Sequence, residues 1–287
     1  MLNVATVVVD GLAYGMLLFL FSVGLSITLG LMRFINLAHG VFAMVGGYVA
    51  AIAMREADVP FLLALPLAFV LTGVFGLAAE RSVIRFLYRE SPLQQVLFSI
   101  GFAFAASAVT TILFGPQQQP VALPEWLSGR LASGAFSVGT YRVFLILVGA
   151  VAAALTIALF HHTLFGARVR AAVDNRRAAE GIGIKVDRLF AITFTLGAAM
   201  AGLGGALSVD FLGLDPTFAL KYLTLVLMIV VLGGAGSIIG TLAASVFIGV
   251  VDALFKYFTP EIGPFVIYGL LVVVLVVMPQ GFVGRRA

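Results

Sequence analysis

The 287-residue sequence predicts an all-α polytopic membrane protein, a single domain spanning 1–287 and built as a bundle of about 8 to 10 transmembrane helices. Its N-terminus is expected outside and its C-terminus inside. Composition is the first reason. The chain is 62% hydrophobic and 10% charged, with a mean hydropathy of +1.15, whereas a soluble domain is about half apolar and about a quarter charged. The second reason is repetition: apolar runs near the roughly 20 residues needed to cross hydrocarbon follow one another along the whole chain. The third is a one-sided distribution of Lys and Arg between those runs.

Taken in order, the runs fall at 9–31, 35–54, 61–79, 93–115, 142–164, 189–209, 219–235, 237–256 and 262–280. The first carries no Lys or Arg ahead of it, so it is expected as a retained span and not as a cleaved signal. The second, and the pair meeting around Gly233 to Gly240, are short and interrupted by glycine. Such segments are expected to be broken or re-entrant, tolerated where protein surrounds them. In the sixth run, Gly197, Ala201 and Gly205 recur at intervals of four, as do Ala198, Gly202 and Ala206. Two stripes of small residues on adjoining faces predict close helix packing there.

With the N-terminus outside, one side of the membrane holds Arg33, then Arg81, Arg85 and Arg89, then Arg168, Arg170, Arg176, Arg177, Lys185 and Arg188, and finally Arg285 and Arg286. These are 12 of the 17 basic residues, which places that side in the cytoplasm. The net charge of +4 is thus a consequence of membrane orientation and calls for no nucleic-acid partner. Two connections are long. The one expected outside, at 116–141, combines proline punctuation with the chain's single tryptophan, Trp126. The one expected inside, at 165–188, is the most charged stretch and the candidate for contact with a cytoplasmic partner.

Several function classes lose support on the residues alone. There is no cysteine and there are three histidines, two of them adjacent, so no metal site and no cofactor is expected. A P-loop needs Gly-Lys-Ser/Thr after a glycine-rich loop, yet Lys185, Lys221 and Lys256 follow Ile, Leu and Phe. The chain is therefore expected to lack an ATPase site. An intramembrane enzyme would need a Ser–His pair or two carboxylates in one site, whereas Asp252 has no second aspartate in the interior of a span, Asp10 standing at the outer edge of the first. The same scarcity of ionisable groups within the spans argues against a stand-alone ion-coupled transporter or channel, the alternative class.

The segment from Arg33 to Tyr48 is where polarity enters an apolar run, through Asn36, His39 and Gly40. It admits two readings. In one, Asn36 caps the second helix and His39 bonds a neighbouring carbonyl; in the other, the helix is broken and faces a translocation path.

The run Ile35-Asn36-Leu37-Ala38-His39-Gly40, followed by Met44, Gly46, Gly47 and Tyr48 and preceded by Gly11, Leu12, Tyr14 and Gly15, resembles the signature of the permeases of branched-chain amino acid ABC importers. A second stretch, Arg177-Ala178-Ala179 followed by Gly183, resembles the ATPase-coupling motif of ABC importer permeases, Glu-Ala-Ala with a later glycine. Here Arg177 stands where that motif has Glu, and Glu180 lies nearby. The resemblance implies a subunit of the bacterial or archaeal plasma membrane that forms a path for branched-chain or other hydrophobic amino acids. Urea or short amides are the alternative solutes. It also implies cytoplasmic ATPase subunits that use the ATP, a second permease subunit, homologous or identical, and an extracytoplasmic solute-binding protein. Asn36, Ala38, His39, Gly40, Gly46 and Tyr48 become the expected pathway element, and Arg177, Ala178, Ala179, Glu180 and Gly183 the expected ATPase contact.

Overall fold

A computed structural model describes residues 4–32, 34–88, 90–121, 123–133, 136–261, 263–277 and 281–282. Arg33, Arg89, Arg285, Arg286 and the tail of the last expected span lie outside the described residues. The elements run α1 Val4–Met32, α2 His39–Glu56, α3 Phe61–Ala79, a π-helical turn Glu80–Ile84 leading into α4 Arg85–Leu87, and α5 Pro92–Phe114. A hairpin of β1 Arg130–Ser133 and β2 Phe136–Gly139 precedes α6 Thr140–His162. There follow α7 Leu164–Asp174, α8 Arg176–Gly181, α9 Val186–Leu212, α10 Phe218–Lys221, α11 Leu223–Gly233, α12 Ile238–Phe258 and α13 Gly263–Val277.

Among the described residues, six helical stretches are long and apolar enough to cross a membrane, and two shorter apolar stretches, Phe218–Gly233 and Phe265–Val274, accompany them. With α2, each of the nine expected runs has a helix. The helices start where local chemistry permits. Ser91 accepts from the Gln94 amide and Gln94 reaches back to the Ser91 amide, a capping box with Pro92 at the first helical position. The extramembrane hairpin is an addition to the expected all-helical bundle, antiparallel with Arg130 opposite Gly139 and Leu131 opposite Val138.

At the centre, α9 packs against α1, α2 and α3, and α1 packs along α12. The small-residue stripes of α9 explain this. Gly197 lies on Gly24 of α1, Ala198 on Gly76 of α3, and Gly202 on Thr72 of α3 and Gly46 of α2. Where apolar lipid gives no hydrophobic drive for helix association, such close backbone approach is what gains dispersion energy. On α1, Gly11 and Gly15 meet the backbone of Gly249, Val250, Ser245 and Val246 on α12. The outer helices are different: α5 turns Leu97, Phe104, Ile112 and Leu113 outward, a surface suited to lipid.

The expected interruption near Gly233 to Gly240 is a tight turn between α11 and α12. Gly234 and Gly236 both have positive φ, 85° and 86°, and the Gly236 amide donates to the Ser26 carbonyl of α1 at 3.0 Å. Ser237 then caps α12 by accepting from the Gly240 amide at 3.0 Å.

Candidate translocation element and coupling segment

Between α1 and α2 the chain leaves helical geometry over residues 34–38, yet it stays inside the protein: Phe34, Asn36, Ala38 and His39 are all buried. Buried irregular backbone needs partners. The Ile35 amide donates to Gln95 Oε1 of α5 at 3.1 Å, and Gln95 Nε2 donates to the Leu87 and Glu90 carbonyls at 3.1 and 3.2 Å. One buried side chain on α5 thus ties the start of α2 to the end of α4. Asn36 accepts from the Ala38 amide at 3.1 Å, closing a local turn, and the His39 amide donates to the Asn36 carbonyl.

This geometry departs from the capping reading. The N-cap of α2 is Ala38, with no side-chain cap, because the Asn36 oxygen, two residues earlier, accepts from the Ala38 amide and not from the first turn of the helix. Nor does His39 bond a carbonyl among the described residues, where both its ring nitrogens are buried without a partner, as is Asn36 Nδ2. The ring lies 5.7 Å from Phe42, which in turn meets Phe75 of α3 and Phe194 of α9. Tyr48 packs its ring 4.8 Å from Phe114 of α5, and its hydroxyl is likewise unpartnered. Nine residues apart on a helix of 3.6 residues per turn, His39 and Tyr48 point to opposite faces. The structure joins Asn36, Ala38 and His39 into one buried turn and leaves Tyr48 on the α5 side. Gly40 and Gly46 serve packing, Gly40 against Ala219 of α10 and Gly46 against Gly202.

Further buried polar groups occur on α1, α3 and α5. On α5, Gln95, Ser99 and Ser107 are buried with Ala103 in a stripe of four-residue spacing, and Ser107 donates to the Pro216 carbonyl at 2.5 Å. That spacing was visible in the sequence. Glu80 was not recognised as a span residue because the third run was ended at 79; the π turn carries the helix on to Leu87 and buries Glu80, which accepts from Tyr88 at 3.2 Å. Burial first, then the Glu80 carboxylate, pushes the Tyr88 phenol above its usual range, so Tyr88 is the donor. Thr72 and Ser22 add two more buried hydroxyls without partners among the described residues.

The charged stretch 165–188 folds into two short helices, α7 and α8, hinged at Asn175, whose side chain accepts from the Ala178 amide at 3.0 Å. Arg176 holds Glu180 at 2.9 Å and Asp187 of α9 at 2.6 Å. Partial burial alone would pull the Arg176 pKa down; the hydrogen bonds it donates to Glu180 and Asp187 outweigh it and raise it. Ala179 is buried against the chain itself, while Arg177, Ala178, Glu180 and Gly183 are exposed. Gly183 has φ +87° with nothing within 4 Å of a Cβ placed there, and the turn closes with Ile184 N donating to the Ala179 carbonyl at 3.0 Å. Ile182 beside it is 77% exposed. An apolar knob and a basic side chain therefore project from a turn braced by Ala179 and Arg176.

A family model described as branched-chain amino acid transport system / permease component matches residues 7–275. The chain belongs to this family of transport permeases. The permease is 29% identical to the high-affinity branched-chain amino acid transport system permease protein LivH of Escherichia coli K12, over 96% of this chain and 94% of that one. It is 24% identical to the probable branched-chain amino acid transport permease protein LivH of Methanocaldococcus jannaschii, over 94% and 90%. To LivM of Escherichia coli K12, named as a permease protein of a high-affinity branched-chain amino acid transport system, it is 25% identical over 95% of this chain and 69% of LivM. No solved structure matches. With six membrane-length helices and relatives of this kind in bacteria and archaea, the permease is a multi-pass protein of the plasma membrane.

Proposed function

We propose that this permease is the membrane-spanning subunit of an ABC importer for branched-chain or other hydrophobic amino acids, its chain forming one domain over 1–287. The observation that carries the reading is the match to LivH-type permeases over nearly the full length of both chains. ATP is hydrolysed by separate cytoplasmic subunits. The exposed face of α8, with Arg177, Ala178, Glu180, Ile182 and Gly183, is their contact, seated on buried Ala179. The segment 165–188 is cytoplasmic, the connection 116–141 extracytoplasmic, and the N-terminus outside. Similarity to LivM as well as LivH favours a second, homologous permease as partner, and an extracytoplasmic binding protein delivers the solute.

The buried turn at Asn36 to His39 is the pathway element. Its support is that Asn36 Nδ2 and both ring nitrogens of His39 are buried without partners among the described residues, at a cost of about 1–3 kcal/mol per group unless something passing through supplies hydrogen bonds. ATP binding moves α7 and α8, and the α9 core helix carries that displacement to α1, α2 and α3.

The test is uptake into proteoliposomes holding both permeases and the ATPase, with binding protein added. ATP-dependent accumulation of leucine is expected, with none when the ATPase is omitted. Uptake of urea in preference to leucine would overturn the cargo, and gradient-driven uptake by the permease alone would overturn the mechanism.

A further inference from the structure

Asp252 is the ionisable residue that the apolar runs left unexplained. On α12 it is 3% exposed, held there because Gly11 and Gly15 draw α12 onto α1. A carboxylate so placed is costly unless it serves a purpose. It sits in a cleft of about 570 Å³, within the usual range for small-molecule sites, where α1, the end of α9, α10, α11, α12 and α13 converge.

We propose that this cleft binds a zwitterionic apolar amino acid, its ammonium on the Asp252 carboxylate and its carboxylate on the Lys221 ammonium. The inference rests on the cargo proposed above. Asp10 is paired with Arg142 and Asp252 with Lys256, so Lys221 is the lining charge left over, and the carboxylate of an entering zwitterion compensates it. Lys256 takes Asp252 Oδ2 at 2.6 Å, leaving Oδ1 as acceptor for a second ammonium. Asp10 is engaged by Arg142 at 3.0 Å, and Arg142 lies 3.9 Å over Phe211. Lys221 forms no ion pair among the described residues, although it approaches the Tyr222 ring at 5.7 Å. It is therefore the cation available to a carboxylate. The rings of Tyr14 and Phe211, stacked at 6.0 Å, face Lys256 at 5.6 Å and Arg142 at 3.9 Å and so hold those two cations at the cleft wall. Leu225 and Ile267 complete the lining with aliphatic surface for the solute's side chain. On the proposed orientation the cleft opens outward, where delivered solute first meets the permease.

A phosphatidylethanolamine headgroup carries the same pair of charges, so the full-length permease is placed in nanodiscs of phosphatidylcholine alone and probed by saturation-transfer NMR with L-leucine. Saturable leucine signals are expected, weakened at least about tenfold by Lys221→Gln and by Asp252→Asn, a loss of about 1.4 kcal/mol, and untouched by Leu97→Ala on the outward face of α5. Lys221 is exposed, so its variant reads the site even if Asp252→Asn folds poorly. Absent leucine binding, or binding indifferent to both substitutions, overturns the proposal. So does Lys221-dependent retention of phosphatidylethanolamine that leucine does not displace. The cargo reading is judged separately, by uptake in the complete system, so the two failures are distinguishable.

Discussion

Gly46 of α2 lies so close to Gly202 of α9 that a Cβ on Gly46 would run into the Gly202 backbone. Neither helix can yield easily, because Gly202 is also pressed by the Thr72 side chain of α3. Gly46→Ala is therefore expected to push α2 from α9 and to destabilise the permease by about 1–3 kcal/mol, as overpacking does. Gly101→Ala on α5 is the control. Nothing lies within 4 Å of a Cβ there, and replacing a helical glycine gains roughly up to 1 kcal/mol. Thermal unfolding in detergent, followed by fluorescence-detected size exclusion, should move in opposite directions for the two variants.

Gln95 holds three backbone groups that lie outside the helix ladders. Gln95→Leu keeps the bulk and strands the Ile35 amide, with an expected cost of about 1–3 kcal/mol per buried group left unpaired. Hydrogen exchange provides the specific readout. The Ile35 amide should lose protection while amides in the middle of α9 keep theirs.

His39 offers the reverse case. Its ring nitrogens have no partners among the described residues, so His39→Leu removes an unsatisfied polar group, a change that is near neutral or stabilising for folding. If the ring serves passing solute, leucine uptake should fall at least about tenfold, or 1.4 kcal/mol in the barrier, with the melting temperature unchanged or raised. A variant that melts earlier and transports normally would assign His39 to packing.

At the coupling segment, burial separates two substitutions, one on α8 and one at its C-cap. Ala179→Asp forces a carboxylate into the seam between α8 and the body, so both stability and ATPase co-purification should drop. Ile182→Ser alters an exposed side chain, and surface changes of this kind usually stay within about 0.5 kcal/mol. Its expected effect is loss of ATPase co-purification alone. Arg176→Ala, which breaks two partly exposed ion pairs worth about 0–1 kcal/mol each, should loosen the turn at Gly183 without unfolding α9, as limited proteolysis between 175 and 186 can report.

Much of the bundle was legible in the sequence because a bilayer's demands are local. A run must be apolar, about 20 residues long and hydrogen-bonded within itself; each of the nine runs has a helix, and among the described residues six helical stretches have the length and apolarity to cross a membrane. The stripes at Gly197 and Gly202 were equally legible, since small residues at four-residue spacing share a face. The neighbours they meet are a different matter: Gly24, Gly46, Thr72 and Gly76 are remote in sequence, and only their convergence on α9 selects them. The same is true of Gln95, whose partners are two carbonyls at the end of α4 and its turn and an amide before α2. Glu80 was hidden by a π turn, which lets a helix run on past a charged residue. Ala179 read as a contact residue until packing showed it facing inward. Composition and periodicity determined that this chain is a helical membrane protein and marked the segments that interrupt its helices. Which polar groups are buried, which of them lack partners, and how Asp252, Lys221 and Tyr14 come to line one cleft were decided by helix–helix packing, because contacts between distant segments leave no periodic trace in the sequence.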